Sequence, residues 1–188
     1  MKNETAQTTV MVVDDTPANL RYLQEILRDK GNRVMAFPDG KAALNAVAKR
    51  PPDMIVLDIL MPEMDGFEVC RRLKADPYLS KIPVLFISAL GDVDHKTRAF
   101  EEGGVDYVTK PFEENEVLSR VETHLKLSRL TRDLEERVEE RTSQLTQSNQ
   151  ALQEEIAVRK QAEQQLREQQ AMLQSVLEGI TEPLMLVD

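Results

Sequence analysis

The stretch Asp53-Met54-Ile55-Val56-Leu57-Asp58 constrains what this chain can fold into more than any other. Its consecutive apolar residues sit between Pro51-Pro52 and Met61-Pro62, a short run between breakers, which predicts a central parallel strand covered on both faces. Asp58 then stands at the carboxyl end of a strand, where open α/β sheets bind their ligands. From this stretch alone, an aspartate that merely caps the following turn reads equally well.

Three further apolar runs also end in polar groups. Thr9-Val10-Met11-Val12-Val13 ends in Asp14-Asp15, Ile82-Pro83-Val84-Leu85-Phe86-Ile87 in Ser88, and Val105-Asp106-Tyr107-Val108 in Thr109-Lys110-Pro111. If these strands are parallel, their ends converge on one crevice holding three carboxylates, a hydroxyl and an ammonium. Taken singly, Asp14-Asp15 could cap the next helix, Ser88 its own turn, and Lys110 could simply neutralise the acids. Three carboxylates brought together without a cation repel strongly, so the cluster as a whole requires a metal ion.

Helical segments separate the runs. Thr16-Pro17 opens the first, with Thr16 expected to cap it and Leu20, Leu23, Ile26 and Leu27 facing inward. Gly31-Asn32 ends it, Arg33 to Phe37 reads as a second strand, and Ala43, Leu44 and Val47 form the inner face of the next helix. A helix over Gly66 to Ala75 stops at Asp76-Pro77, and Gly91-Asp92-Val93-Asp94 leads into another that runs through Thr97 to Glu102 and closes at Gly103-Gly104. Strands alternating with helices across short turns imply an α/β fold with a parallel sheet.

Taken together, these positions resemble the receiver domain of two-component response regulators. The resemblance is carried by Asp14-Asp15, by Asp58 followed by Met61-Pro62 and Asp65-Gly66, by Ser88-Ala89, Tyr107 and Lys110-Pro111-Phe112, over about residues 8 to 125. It implies a doubly wound five-stranded sheet of order 2-1-3-4-5. It also implies that Asp58 is the phosphoacceptor, served by a partner histidine kinase or phosphotransfer protein. A Mg²⁺ ion would be held by Asp15, Asp58 and the carbonyl of Leu60, with Asp14 acting through water. Lys110 and Ser88 would contact the phosphoryl group, Ser88 and Tyr107 would form the switch pair, and the Lys110-Pro111 bond would be cis.

From Glu113 to Glu178 there is no Gly and no Pro, and the composition turns to Glu, Gln, Arg, Leu and Ala. A continuous helix there would run roughly 100 Å at ~1.5 Å per residue. Val138, Leu145, Leu152, Leu166 and Leu173 share one heptad column, interrupted by Arg159, and Ile156 and Leu177 lie in a companion column with Thr142, Asn149, Glu163 and Gln170. The pattern predicts a coiled coil with a half-polar seam, formed as a parallel homodimer, with Leu127, Leu130 and Leu134 offset from it by a stutter. A solvated charged helix is the alternative. The text around Glu140-Arg141-Thr142 resembles the signalling helices that join sensor and output modules in bacterial kinases and cyclases. Val176 to Asp188 resembles the opening of a PAS domain, which implies an output domain further along a parent chain of histidine kinase or diguanylate cyclase type.

The expected domains are a disordered tail over 1–8, a receiver over 9–125, a signalling coil over 126–178 and the start of a PAS-like domain over 179–188. With a net charge of −9 and no basic stripe, the chain lacks a nucleic-acid surface. A single cysteine, Cys70, excludes an internal disulfide and falls among core positions, and no run suits a signal peptide or a membrane span, so a cytoplasmic setting without membrane contact is expected. Two competing functions are a Mg²⁺-dependent phosphatase, which would want an acid where Leu60 stands, and a dimerising scaffold, which would be expected to lack a member of the acidic site. His124 and His95 are expected at the surface.

Overall fold

The structure, a computed structural model, describes residues 7–89 and 93–181, without the side chains of 93–95 and 178–181. The expected tail and PAS-like start therefore lie mostly outside the described residues, as do residues 90–92 and the His95 side chain. Five parallel strands make one sheet in the order β2-β1-β3-β4-β5: β1 (Thr9–Val13), β2 (Arg33–Phe37), β3 (Met54–Asp58), β4 (Val84–Ala89) and β5 (Asp106–Lys110). Between them run α1 (Pro17–Asp29), α2 (Gly40–Lys49), α3 (Gly66–Ala75) and α4 (Val93–Glu101), and α5 (Glu114–Thr181) follows β5.

Side chains alternate across a strand, so each central strand feeds two cores. Met11, Val13, Ile55, Leu57, Val84 and Phe86 pack on one face with Ala43, Val47, Phe67, Cys70 and Leu73 of α2 and α3. Val10, Val12, Met54, Val56, Leu85 and Ile87 pack on the other with Leu23, Ile26 and Leu27 of α1 and Val117, Leu118, Val121 and Leu125 of α5. Each such side chain taken fully out of water stabilises the fold by roughly 1.5–3 kcal/mol. Leu20 and Leu44, expected inside, are only partly buried and border these cores. The β2 strand at the sheet edge is the least buried.

Local chemistry fixes most helix ends as expected. Asp39 accepts from the N–H of Ala42 and Asp65 from that of Glu68, each capping the helix it precedes. Gly31 closes α1 with φ +82°, a conformation that L side chains rarely adopt. Thr16, in contrast, makes no side-chain cap on α1. Its hydroxyl is turned toward Asp15, donating to Oδ1 at 3.3 Å, and its N–H donates to Asp14 Oδ1 at 2.8 Å.

Two compact units divide the chain, Met1–Arg132 and Asp133–Asp188, and both the junction and the expected boundary at residue 125 lie within α5. Every described side chain in the second unit is exposed. Among the described residues, no helix is long and apolar enough to cross a membrane.

Candidate functional site

The register of the sheet determines what converges at its carboxyl edge. Val13 pairs with Leu57, Asp58 with Ile87, and Ser88 and Ala89 with Thr109 and Lys110. The residues following β1 and ending β3, β4 and β5 are therefore neighbours in space, as the sequence predicts. Oxygens of Asp14, Asp15 and Asp58 all lie within 4.8 Å of one another. Asp14 and Asp58 are buried at 1% and 4% relative exposure, whereas Asp15 is exposed.

Lys110 joins the cluster from β5. Its Nζ donates to Asp14 Oδ2 and to Asp58 Oδ2, both at 2.8 Å. Burial alone would lower the lysine pKa, but the hydrogen bonds and charges of the two carboxylates outweigh it and hold the ammonium above its ordinary value. Asp58 moves the other way. Burial pushes its carboxyl above the usual range, with the charge of Asp14 adding to the effect, although Lys110 and the Leu60 N–H oppose it.

Ser88 Oγ is fully buried and has no hydrogen-bond partner among the described residues. A buried hydroxyl without a partner is costly, and Ser88 directly follows Ile87, the register partner of Asp58. Tyr107 is buried in the core beneath the same edge. Leu60 turns its side chain to solvent at 55% exposure, and the Lys110-Pro111 bond is cis.

Gly66 allows the loop after β3 to pack against the backbone at the end of that strand. A Cβ there would lie 2.3 Å from the carbonyl oxygen of Asp58 and 3.0 Å from Ile59 Cα, so only glycine fits. Its N–H donates to the Ile59 carbonyl at 2.9 Å. Between these contacts Glu63 adopts φ 63°, and Met61 and Met64 are buried.

The donor set suits Mg²⁺. That ion prefers carboxylate oxygens and water at about 2.0–2.1 Å in an octahedron, and three carboxylates within a few ångströms at a half-open edge satisfy the preference.

Sequence reasoning missed Asn19. Its Nδ2 donates to both oxygens of Asp14, at 3.1 and 3.0 Å, from the first turn of α1. The signal available was an amide five residues after Asp14, which one sequence cannot separate from an ordinary polar helix residue. Also unforeseen is the brace from β5 to α5. Arg120 Nη1 donates to both Asp106 oxygens at 2.8 Å, and His124 Nε2 lies 3.1 Å from Asp106 Oδ2. His124 is thus corrected from a plain surface residue to one engaged by an acid. Burial would raise the Asp106 carboxyl, but Arg120, His124 and the Tyr107 N–H together hold it below its usual range.

Comparison with known proteins agrees with this geometry. The family described as response regulator receiver domain matches residues 10–122. The chain is 38% identical over 128 residues to the response regulator PleD of Caulobacter vibrioides, covering 68% of this chain and 28% of that protein. It is 37% identical over 123 residues to the DNA-binding response regulator MtrA of Mycolicibacterium smegmatis, covering 65% and 53% respectively. The structure of the signal receiver domain of a signal transduction histidine kinase from Syntrophus aciditrophicus superimposes with a TM-score of 0.60 at 34% identity, covering 63% of this chain and 90% of that one. The chain thus spans between about a quarter and a half of the curated relatives named here.

Proposed function

Because this chain belongs to the response regulator receiver family over residues 10–122, we propose that it accepts a phosphoryl group on Asp58 from a partner histidine kinase or phosphotransfer protein, with Mg²⁺ bound at the acidic edge. The observation that carries the reading is Lys110 bridging Asp14 and Asp58 at 2.8 Å, at the strand end where Asp15 also stands.

In the transfer, an Asp58 carboxylate oxygen attacks phosphorus. The bond from phosphorus to the donor's leaving group breaks, that group departs with the electron pair, and an acyl phosphate remains on Asp58. Asp14, Asp15, Asp58 and the Leu60 carbonyl are the residues that would hold Mg²⁺, which supplies charge to offset the repulsion between carboxylate and phosphoryl oxygens. The Lys110 ammonium is already desolvated at the site and exchanges a carboxylate partner for a phosphoryl oxygen. The Ser88 hydroxyl gains the acceptor it lacks by donating to another phosphoryl oxygen, and a shift of Ser88 relieves or changes the packing around Tyr107.

That repacking reaches α5, which continues into the second unit. There Val138, Leu145, Leu152, Ile156, Leu166, Leu173 and Leu177, between 52% and 66% exposed, form the seam of a parallel homodimer that passes the signal to an output domain. Residues 179–188 begin that domain in a PAS-like form, and the whole acts in the cytoplasm.

The test is intact mass after incubation with Mg²⁺ and a small acyl-phosphate donor. One added phosphoryl group on the wild type and none on Asp58→Asn is the expected result. No addition to either protein would overturn the assignment and favour a scaffold.

A further inference from the structure

Resting on the proposed parallel homodimer, we infer that the exposed part of α5 carries two alternative seams for a second copy of this chain. They share one strong column and differ by about a seventh of a turn in helix rotation. The shared column is Val138, Leu145, Leu152, Arg159, Leu166 and Leu173, whose apolar members are 52–64% exposed. A two-stranded seam needs a companion column three or four residues away, and such a column exists on each side.

On one side the companion runs from Leu134 through Arg141, Ser148, Glu155, Ala162 and Gln169 to Val176. On the other it runs from Thr142 through Asn149, Ile156, Glu163 and Gln170 to Leu177. Each has a few exposed aliphatics, Leu134 and Val176 at 61% and 52% against Ile156 and Leu177 at 52% and 66%, and the rest are polar or small. A coil with one seam sets an apolar companion against a charged flank. Here neither column prevails.

The charged layer has the same two-sidedness. Arg159 in the shared column would meet its own copy across the axis and needs a carboxylate within the seam. Glu155, in the first companion, pairs with it at 3.2 Å, and Glu163 stands four residues beyond it in the second. Either seam can therefore close over Arg159 with an acid at hand. Polar layers such as Asn149 match best against themselves at equal height, which selects a second copy, parallel and in register, as the occupant.

The test uses the full chain and three chemically identical substitutions: Gln169→Cys in the first companion, Gln170→Cys in the second, and Gln161→Cys on the outer face. Cys70 adds little background, being fully buried with its thiol pushed up to about 11. Disulfide formation at 169 and at 170 at rates within about threefold of each other, with 161 slower by about tenfold or more, is the expected result. Ser148→Leu should then shift the ratio toward 169 and Asn149→Leu toward 170, each by roughly tenfold.

A dimer in which one companion position stays at least tenfold faster in every variant overturns the two-seam inference and leaves the dimer reading intact. A dimer with no fast position overturns the parallel arrangement and the inference with it. A monomer by sedimentation overturns both.

Discussion

The helix α5 lives two lives. In the first compact unit Val117, Leu118, Val121 and Leu125 are at most 7% exposed against the sheet, whereas in the second Leu145, Leu152, Leu166 and Leu173 are all more than half exposed. The residue types are similar and the setting differs. The first segment finds its hydrophobic partners within the chain, where β1, β3 and β4 supply a face. The second leaves its leucines exposed within its own unit, and the proposed homodimer would cover them. One unit is specified by its own fold, and under the proposed homodimer the other would depend on concentration.

That contrast can be broken from either side. The largest effect is expected from Leu145→Asp combined with Leu152→Asp, which puts charges at two seam layers and should weaken self-association by at least about a hundredfold in sedimentation. The thermal midpoint of the receiver should stay where it is. The reverse separation comes from Gly66→Ala. Its Cβ would sit 2.3 Å from the Asp58 carbonyl, so the receiver should lose about 2–4 kcal/mol in denaturant unfolding while dimer affinity is unchanged. Equal loss of both properties in either variant would mean that the two units do not stabilise independently.

A smaller effect, of opposite sign, is expected at Asp58. Its carboxyl is raised by burial, so the folded state holds that proton more tightly than the unfolded chain. The resulting cost of ionisation is absent in acid, grows as pH rises through the ordinary carboxylate range toward the raised value, and persists above it. Asp58→Asn removes that cost and should raise the thermal midpoint at neutral pH by a few degrees, with the gain vanishing in acid. Asp106 behaves the other way, since its partners hold it low. Its contribution is present above the ordinary carboxylate pKa and is lost as pH falls through the lowered value. Arg120→Ala, which removes a partly exposed ion pair, should cost about 1 kcal/mol and flatten that acid limb of the stability profile.

The sheet was legible because its strands are short apolar runs between breakers. β1 and β2 occupy the expected residues, and the others differ only at their ends, where the backbone pairing of neighbours extends β4 to Ala89 and β5 to Lys110. The acidic edge was legible for a related reason, since polar residues ending apolar runs must emerge at one end of a parallel sheet. Asn19 and the Asp106–Arg120–His124 brace escaped because their meaning depends on distance in space. A lone amide or arginine on a helix carries no periodic signal, and Arg120 meets Asp106 only after the chain has turned from β5 into α5. Thr16 misled for the opposite reason. A good local cap signal lost to the two carboxylates next to it.

The sulfur of Cys70 lies at 0% exposure and donates to the Glu102 carbonyl at 3.2 Å, with its ionisation suppressed by burial. Such a group reacts only in molecules that have momentarily come apart around α3. Its alkylation rate is therefore a clock for spontaneous opening of the receiver, readable at native conditions without denaturant. Ligands that tighten the acidic edge should slow that clock in proportion to the closed population they create, whereas events confined to the second unit should leave it running at the same speed.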